Sequence, residues 1–296
     1  MSQRFSARFE RWFFLPPLVG LLLLLLVQLA GGDMQVFLWL NHVSRFAGDM
    51  FWIGLTTLGD GLVVWVLVLP FVRRKPELIW AMLLSSLLMT LWVQGLKFLI
   101  NTPRPLAGLS ASDFHIIGAL YKSKSFPSGH AATAAMFAAI LCLFFRQKWI
   151  YAVVILLAVM ISLSRIAMGV HWPTDVLVGF LGGWLVAGLG YHLAMRLRLG
   201  ANLVAQVVFG LILFGAAIRM LVINHTDYDQ AFRLQQTIAL ACLVVTLCEL
   251  YFGLRKVNRD GQRIRLTGQA EIASDQELNL IPPRIDKAVS GAEKIE

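Results

Sequence analysis

WIYAVVILLAVMISLSRIAMGVHWPTDVLVGFLGGWLVAGLGYHLAM, residues 149–195, is the stretch whose reading decides the fold. Two apolar runs, 149–165 and 174–195, flank a short insert carrying His171, with Arg165 and Asp175 at their facing ends. Each run approaches the roughly 20 apolar residues that an α-helix needs to cross the hydrocarbon core of a bilayer. Charged side chains are expensive beside such runs and call for a functional explanation.

The same pattern extends along the chain. Of its 296 residues 58% are hydrophobic and only 15% charged, a balance foreign to soluble domains of this length. Eight runs read as spans, at 13–30, 52–72, 77–100, 129–145, 149–165, 174–195, 203–223 and 235–254. The expected fold class is therefore all-α, a polytopic transmembrane helical bundle. The first run follows Arg4, Arg8 and Arg11 and resembles a signal peptide, but it is long, carries Pro16 and Pro17, and lacks a small-x-small cleavage site. It is expected to stay as a helix. Residues 34–46 are too short to span and read as an amphipathic helix in the interface. Cys142, Cys242 and Cys248 all lie in apolar runs and build neither a disulfide framework nor a metal-type spacing.

The net charge of +9 raises the question of nucleic acid. The basic residues, however, sit at the ends of apolar runs, so they report topology, and no nucleic-acid partner is expected. One set of ends holds Arg4, Arg8, Arg11, Arg73, Arg74, Lys75, Arg146, Lys148, Arg196, Arg198, Arg255, Lys256, Arg259, Arg263 and Arg265. Outside the motifs described below, the other set holds Arg45, Lys122, Lys124 and Arg233. Both termini are thus expected in the cytoplasm, with the loops 31–51, 101–128, 166–173 and 224–234 facing outward. The chain divides into a first span with an outward interfacial segment (1–51), a core (52–200), two further spans (201–254) and a polar, disordered cytoplasmic tail (255–296).

This topology places three polar segments at one membrane surface. The third span ends in KFLINTPRP, which holds Lys97 and Arg104; FPSGHAAT, with Ser128, Gly129 and His130, opens the fourth; SRIAMGVHWPTD joins the fifth to the sixth. Lys97, Arg104 and Arg165 together suit an oxyanion with more than one negative charge, and the arginine fork matches phosphate oxygens. Ser128 and the Gly129 amide stand at a helix start, a natural phosphate seat, where a glycine lets backbone approach the anion. His171 and Asp175 are four apart, so the carboxylate can hold one ring nitrogen protonated and leave the other as a nucleophile. His130 comes from another helix start and can give a proton to a leaving oxygen. Two histidines and an aspartate could also bind zinc, but three nearby cations would repel it, so no metal and no cofactor is expected.

K-x6-R-P, P-S-G-H and S-R-x5-H-x3-D, all complete here, resemble the three signatures of the type 2 phosphatidic acid phosphatase (PAP2) family, which shares its site with vanadium haloperoxidases. The resemblance covers about residues 50–195 and implies a six-helix core, with the last two spans lying beyond it. It implies that His171 attacks phosphorus to form a phosphohistidine, that Asp175 orients it, and that His130 protonates the leaving group. Lys97, Arg104, Ser128, Gly129 and Arg165 would bind the phosphoryl oxygens. The implied protein is a multi-pass phosphatase of the bacterial cytoplasmic membrane, its site facing outward. The implied partner is a lipid phosphate: undecaprenyl diphosphate, phosphatidylglycerophosphate, phosphatidate or a lipid A phosphate. Transfer of the phosphate to another lipid is the alternative enzyme; a lipid-binding or transport protein is the alternative without chemistry, and it would need neither nucleophile nor acid. Taken singly, Lys97 and Arg165 could be helix-end snorkellers, Ser128 an N-cap and Asp175 a first-turn carboxylate. Their joint spacing defeats those readings.

Overall fold

A computed structural model describes residues 7–145, 147–197, 202–226 and 228–252, with side chains from Trp12 onward. The expected tail 255–296 lies outside the described residues, as do Arg4, Arg146 and Arg198. The chain divides into two compact units, Met1–Thr246 and Leu247–Glu296. Of the second, Leu247–Phe252 are described and helical. Among the described residues there is no strand.

The helices run α1 (Ala7–Leu29), α2 (Asp33–Ser44), α3 (Asp49–Leu58), α4 (Gly61–Leu67), α5 (Pro76–Ile100), the single turn α6 (Pro105–Gly108), α7 (Gly129–Phe144), α8 (Lys148–Ala167), α9 (Pro173–Leu197), α10 (Leu203–Val222) and α11 (Asp229–Phe252). Six are long and apolar enough to cross a membrane. Leu18, Leu21, Leu22 and Leu25 of α1 and Leu203, Val204, Leu211 and Ile212 of α10 are exposed, the surface a lipid solvent requires. The protein is a multi-pass membrane bundle.

Two expected spans differ from their description in the sequence. Residues 52–72 do not form one helix: α3 and the segment Gly61–Phe71 meet at a 64° bend. Asp60 causes it, since its carboxylate accepts from the amides of Leu62 and Val63 and starts a new helix. The other is α7, whose 16 residues reach about 24 Å, short of the roughly 30 Å hydrocarbon core.

α7 is the axis of the bundle. Its alanine-rich face is buried from Ala131 to Ala139 apart from Phe137, and it packs on α9, α8 and α5. α7 and α9 approach backbone to backbone. A Cβ on Gly179 would lie 2.4 Å from the Ser128 carbonyl oxygen, and one on Gly183 2.1 Å from that of Ala132. The two glycines are four apart, as are Ser128 and Ala132, so small residues form one seam along both helices. α1 packs on the outer side of α9. Pro17 has no amide to give the Phe13 carbonyl, and Trp184 of α9 donates its indole N–H to that carbonyl at 2.8 Å. A neighbouring helix thus satisfies the oxygen that Pro17 frees.

The seam gives a test. Gly183→Ala should lower stability by about 1–3 kcal/mol, since backbone must move to admit the methyl group. Gly215→Ala, on α10 with nothing within 4 Å, should be neutral or stabilising. Thermal midpoints of the detergent-purified proteins decide; equal midpoints for the two variants would remove the seam's role.

Candidate active site

The three polar segments meet at one end of the bundle and are laced directly to one another. Ser125, just before the second segment, donates its N–H to the Thr102 carbonyl at 2.9 Å and ties that segment's start to the first. Ser128 N–H donates to the Asp175 carbonyl at 2.9 Å, joining it to the third. Trp172 donates its indole N–H to the Pro103 carbonyl at 2.9 Å, and Arg104 Nη1 donates to the Val170 carbonyl at 3.1 Å, joining the third to the first.

Local sequence explains each corner. α5 stops at Ile100 because Asn101 takes a left-handed conformation, with its amide on the Lys97 carbonyl. That leaves Lys97 in the last turn, where Nζ donates to the Lys124 carbonyl at 3.0 Å. Arg104 is buried, donates through Nε to the Ser123 carbonyl at 2.9 Å, and lies 4.8 Å from the centre of the Tyr121 ring. α8 ends in a Schellman motif: Gly169, at φ +75°, donates to the Ile166 carbonyl, and Val170 donates to that of Arg165. Only glycine fits there, as a Cβ would meet the His115 carbonyl oxygen at 2.7 Å. The turn leaves Arg165 buried in the last helical turn, with Nη1 donating to Thr56 Oγ1.

α9 begins with Pro173 at its first position, as its sequence suggests. Asp175 is its third residue and buried, and its Oδ2 accepts from the Trp172 amide at 2.9 Å, the carboxylate half of a capping box. The same oxygen lies 3.4 Å from His171 Nδ1 and accepts from Ser125 Oγ at 2.5 Å. The ordinary helix-end role of Asp175 and its contact with His171 are therefore made by one atom. Burial pushes the His171 imidazole well below its ordinary range, and Arg104, Arg165 and Lys97 push it further; the Ser125 carbonyl opposes them. This favours the neutral form of the ring.

Ser128 occupies the N-cap position of α7, yet its hydroxyl caps nothing; Oγ is fully buried and has no hydrogen-bond partner in the protein. Gly129 begins α7, and a Cβ there would only touch Val93 at 3.8 Å. His130 follows in the first turn, within the fields of Arg165, Lys97 and Arg104. All eight residues singled out in the sequence, Lys97, Arg104, Ser128, Gly129, His130, Arg165, His171 and Asp175, thus belong to one cluster. Among the described residues no group of three or more His, Cys, Asp or Glu side chains is placed to hold a metal ion.

The sequence reading missed four supports. Ser125 touches the His171–Asp175 pair, and Thr56 receives Arg165. Asn41 is fully buried in α2 and reaches the carbonyls of His115, Ile166 and Ala167 at 2.9–3.1 Å, closing the end of α8. Asp33 accepts from the Thr174 amide at 2.8 Å and from its hydroxyl, capping α9; burial raises its carboxyl above the usual range against those bonds. His115, given no role from sequence, pairs with Asp49 at 2.8 Å on the loop surface.

The site brings together a buried histidine–carboxylate pair, three cations and two helix N-termini, a setting suited to an anion. Comparison with known proteins agrees. The sequence profile of the PAP2 superfamily matches residues 77–197, the stretch from α5 to the end of α9. An undecaprenyl-diphosphatase of Sulfolobus acidocaldarius is 24% identical over 197 residues, 60% of this chain and 88% of that protein. The lipid A 4'-phosphatase of Bacteroides thetaiotaomicron is 35% identical over 77 residues, 25% of this chain and 34% of that protein. The crystal structure of Aquifex aeolicus LpxE is 32% identical, covers 53% of this chain and 93% of its own, and superposes with a TM-score of 0.49. Residues 77–197 thus match the PAP2 superfamily, and their similarity to named phosphatases supports phosphatase chemistry.

The acid limb of the pH profile tests the neutral imidazole. With His171 lowered, kcat/KM should hold its value as pH falls through 6.5 and decline only below it. An inflection at the ordinary histidine value of about 6.5 or above would contradict the buried, cation-flanked placement.

Proposed function

We propose that the protein hydrolyses the phosphate of a membrane lipid monophosphate or diphosphate at the outer face of the membrane, through a phosphohistidine at His171. The observation that carries this reading is the His171–Asp175 pair, buried beside Lys97, Arg104, Arg165 and the free hydroxyl of Ser128. In this reading the cations, with Ser128 and the amide of Gly129, hold the nonbridging phosphoryl oxygens and stabilise their charge as the bond breaks. His171 keeps its proton on Nδ1, facing Asp175, and attacks phosphorus with Nε2. His130 gives its proton to the leaving oxygen, then takes one from the water that releases phosphate. The names of the relatives, which include undecaprenyl-diphosphatase, lipid A phosphatases and a phosphatidylglycerophosphatase, support a lipid substrate. The asymmetry of basic residues between the two sets of loops supports cytoplasmic termini and an outward site.

Phosphate release from a panel of lipid phosphates, with and without an acceptor lipid, is the direct test; recovery of label on the acceptor would make it a transferase. Activity should persist in EDTA and fall with vanadate. His171→Ala should abolish turnover of every substrate. His130→Ala should spare diphosphates and p-nitrophenyl phosphate, whose leaving groups need a proton less, by about 10²-fold or more relative to a lipid monophosphate. Equal losses would remove the acid role of His130.

Topology reporters fused after Arg74, Lys148 and Arg198 should report cytoplasm, and one at Ser112 the outside. A cytoplasmic signal at Ser112 would overturn the orientation.

A further inference from the structure

Ser125 stands outside the three signature segments, two residues before Pro127, and no step described so far uses it. Its side chain is fully buried. Its main-chain amide is anchored on the Thr102 carbonyl at 2.9 Å, so the residue is held by the end of the α5 segment. Oγ donates to Asp175 Oδ2 at 2.5 Å and lies 3.5 Å from His171 Nδ1.

The hydroxyl has one proton. Given to Asp175, it leaves the oxygen lone pairs facing His171 Nδ1. Asp175 Oδ2 and Ser125 Oγ then present only acceptors to that nitrogen. Such a pair fits the tautomer with the proton on Nδ1 and rejects the one with the proton on Nε2, which would set lone pair against lone pairs. It also fixes Asp175: a carboxylate that accepted only from Trp172 N–H and His171 could rotate about its last bond, and the third donor holds Oδ2 in place.

We propose that Ser125 is a positioning residue for the proposed nucleophile, selecting the Nδ1–H tautomer of His171 and locking the carboxylate that orients it. The inference rests on His171 being the nucleophile. Ser125 acts through Asp175 and His171 and touches neither the phosphoryl group nor the leaving group.

The test compares wild type, Ser125→Ala and His171→Ala, purified in detergent, with a short-chain phosphatidate as substrate and inorganic phosphate as the binding probe. Ser125→Ala removes one oxygen and leaves the main-chain bond to Thr102. Its kcat should fall by roughly 10–100-fold, the loss usual when the support of a reacting group is removed. KM and the Kd for phosphate should stay within about twofold, because the cations are untouched. The acid limb of kcat/KM should move to higher pH, since a carboxylate that loses a donor becomes more basic and so does the imidazole it faces. The loss should be the same factor for phosphatidate and for p-nitrophenyl phosphate, unlike the loss in His130→Ala.

Three results would each overturn the inference: a kcat within twofold of wild type, an unmoved acid limb, or a loss of phosphate affinity matching the loss in kcat, which marks general disruption. A wild type that releases no phosphate, or an active His171→Ala enzyme, refutes the functional reading and this inference together. An active wild type with an unaffected Ser125→Ala enzyme refutes this inference alone.

Discussion

One carboxylate oxygen, Oδ2 of Asp175, accepts from the Trp172 amide and the Ser125 hydroxyl and faces His171 Nδ1. Two chain segments, 50 residues apart in sequence, must meet at that atom, and the bundle can be understood as the means of bringing them together. Trp172 and His171 arrive because a Schellman turn ends α8 and Pro173 restarts the chain as α9. Ser125 arrives because α7 lies against α9 closely enough for Ser128 N–H to bond the Asp175 carbonyl. That closeness depends on Gly179 and Gly183, where any side chain would strike backbone. In lipid there is no hydrophobic drive between helices, so small residues and polar bonds of this kind carry the association.

The charge pattern follows from alternating helix direction. Helices that run toward this end, α5 and α8, finish with Lys97 and Arg165 in their last turns, where a cation suits the negative end of the helix dipole. Helices that start here, α7 and α9, offer their amide ends and carry His130 and Asp175 in the first turn. Arg104 sits on the connection and is fixed by two carbonyls. Carbonyl and hydroxyl oxygens hold the arginine forks and the ammonium group in place. Preorganised charge of this sort requires no reorientation when negative charge develops.

Much of this was legible in the sequence. Apolar runs gave the bundle, because a lipid solvent enforces helix wherever such a run occurs. Fixed spacings pointed to eight residues that the fold brings to one end of the bundle, because a residue at a helix end has its neighbours at set offsets. What stayed hidden is long-range. Thr56, Asn41 and Asp33 are ordinary polar residues in or beside apolar runs, and nothing local tells that each answers a group more than a hundred residues away. The break at Gly59-Asp60 was written in the sequence as a glycine and a capping residue, and was outweighed by the apolar residues around it. Ser125 lacked any periodic partner; only the folded chain puts it beside Asp175.

These hidden supports have a bearing on modularity. The stretch 77–197 carries every signature residue, yet the hydroxyl under Arg165, the amide that closes α8 and the carboxylate that starts α9 all come from the first sixty residues. The signatures are consequently not a portable cassette. Moved to another scaffold, they would keep their chemistry and lose the clamps that set their angles. Conversely, substitutions in the N-terminal third can retune the site without altering a single residue by which it is recognised.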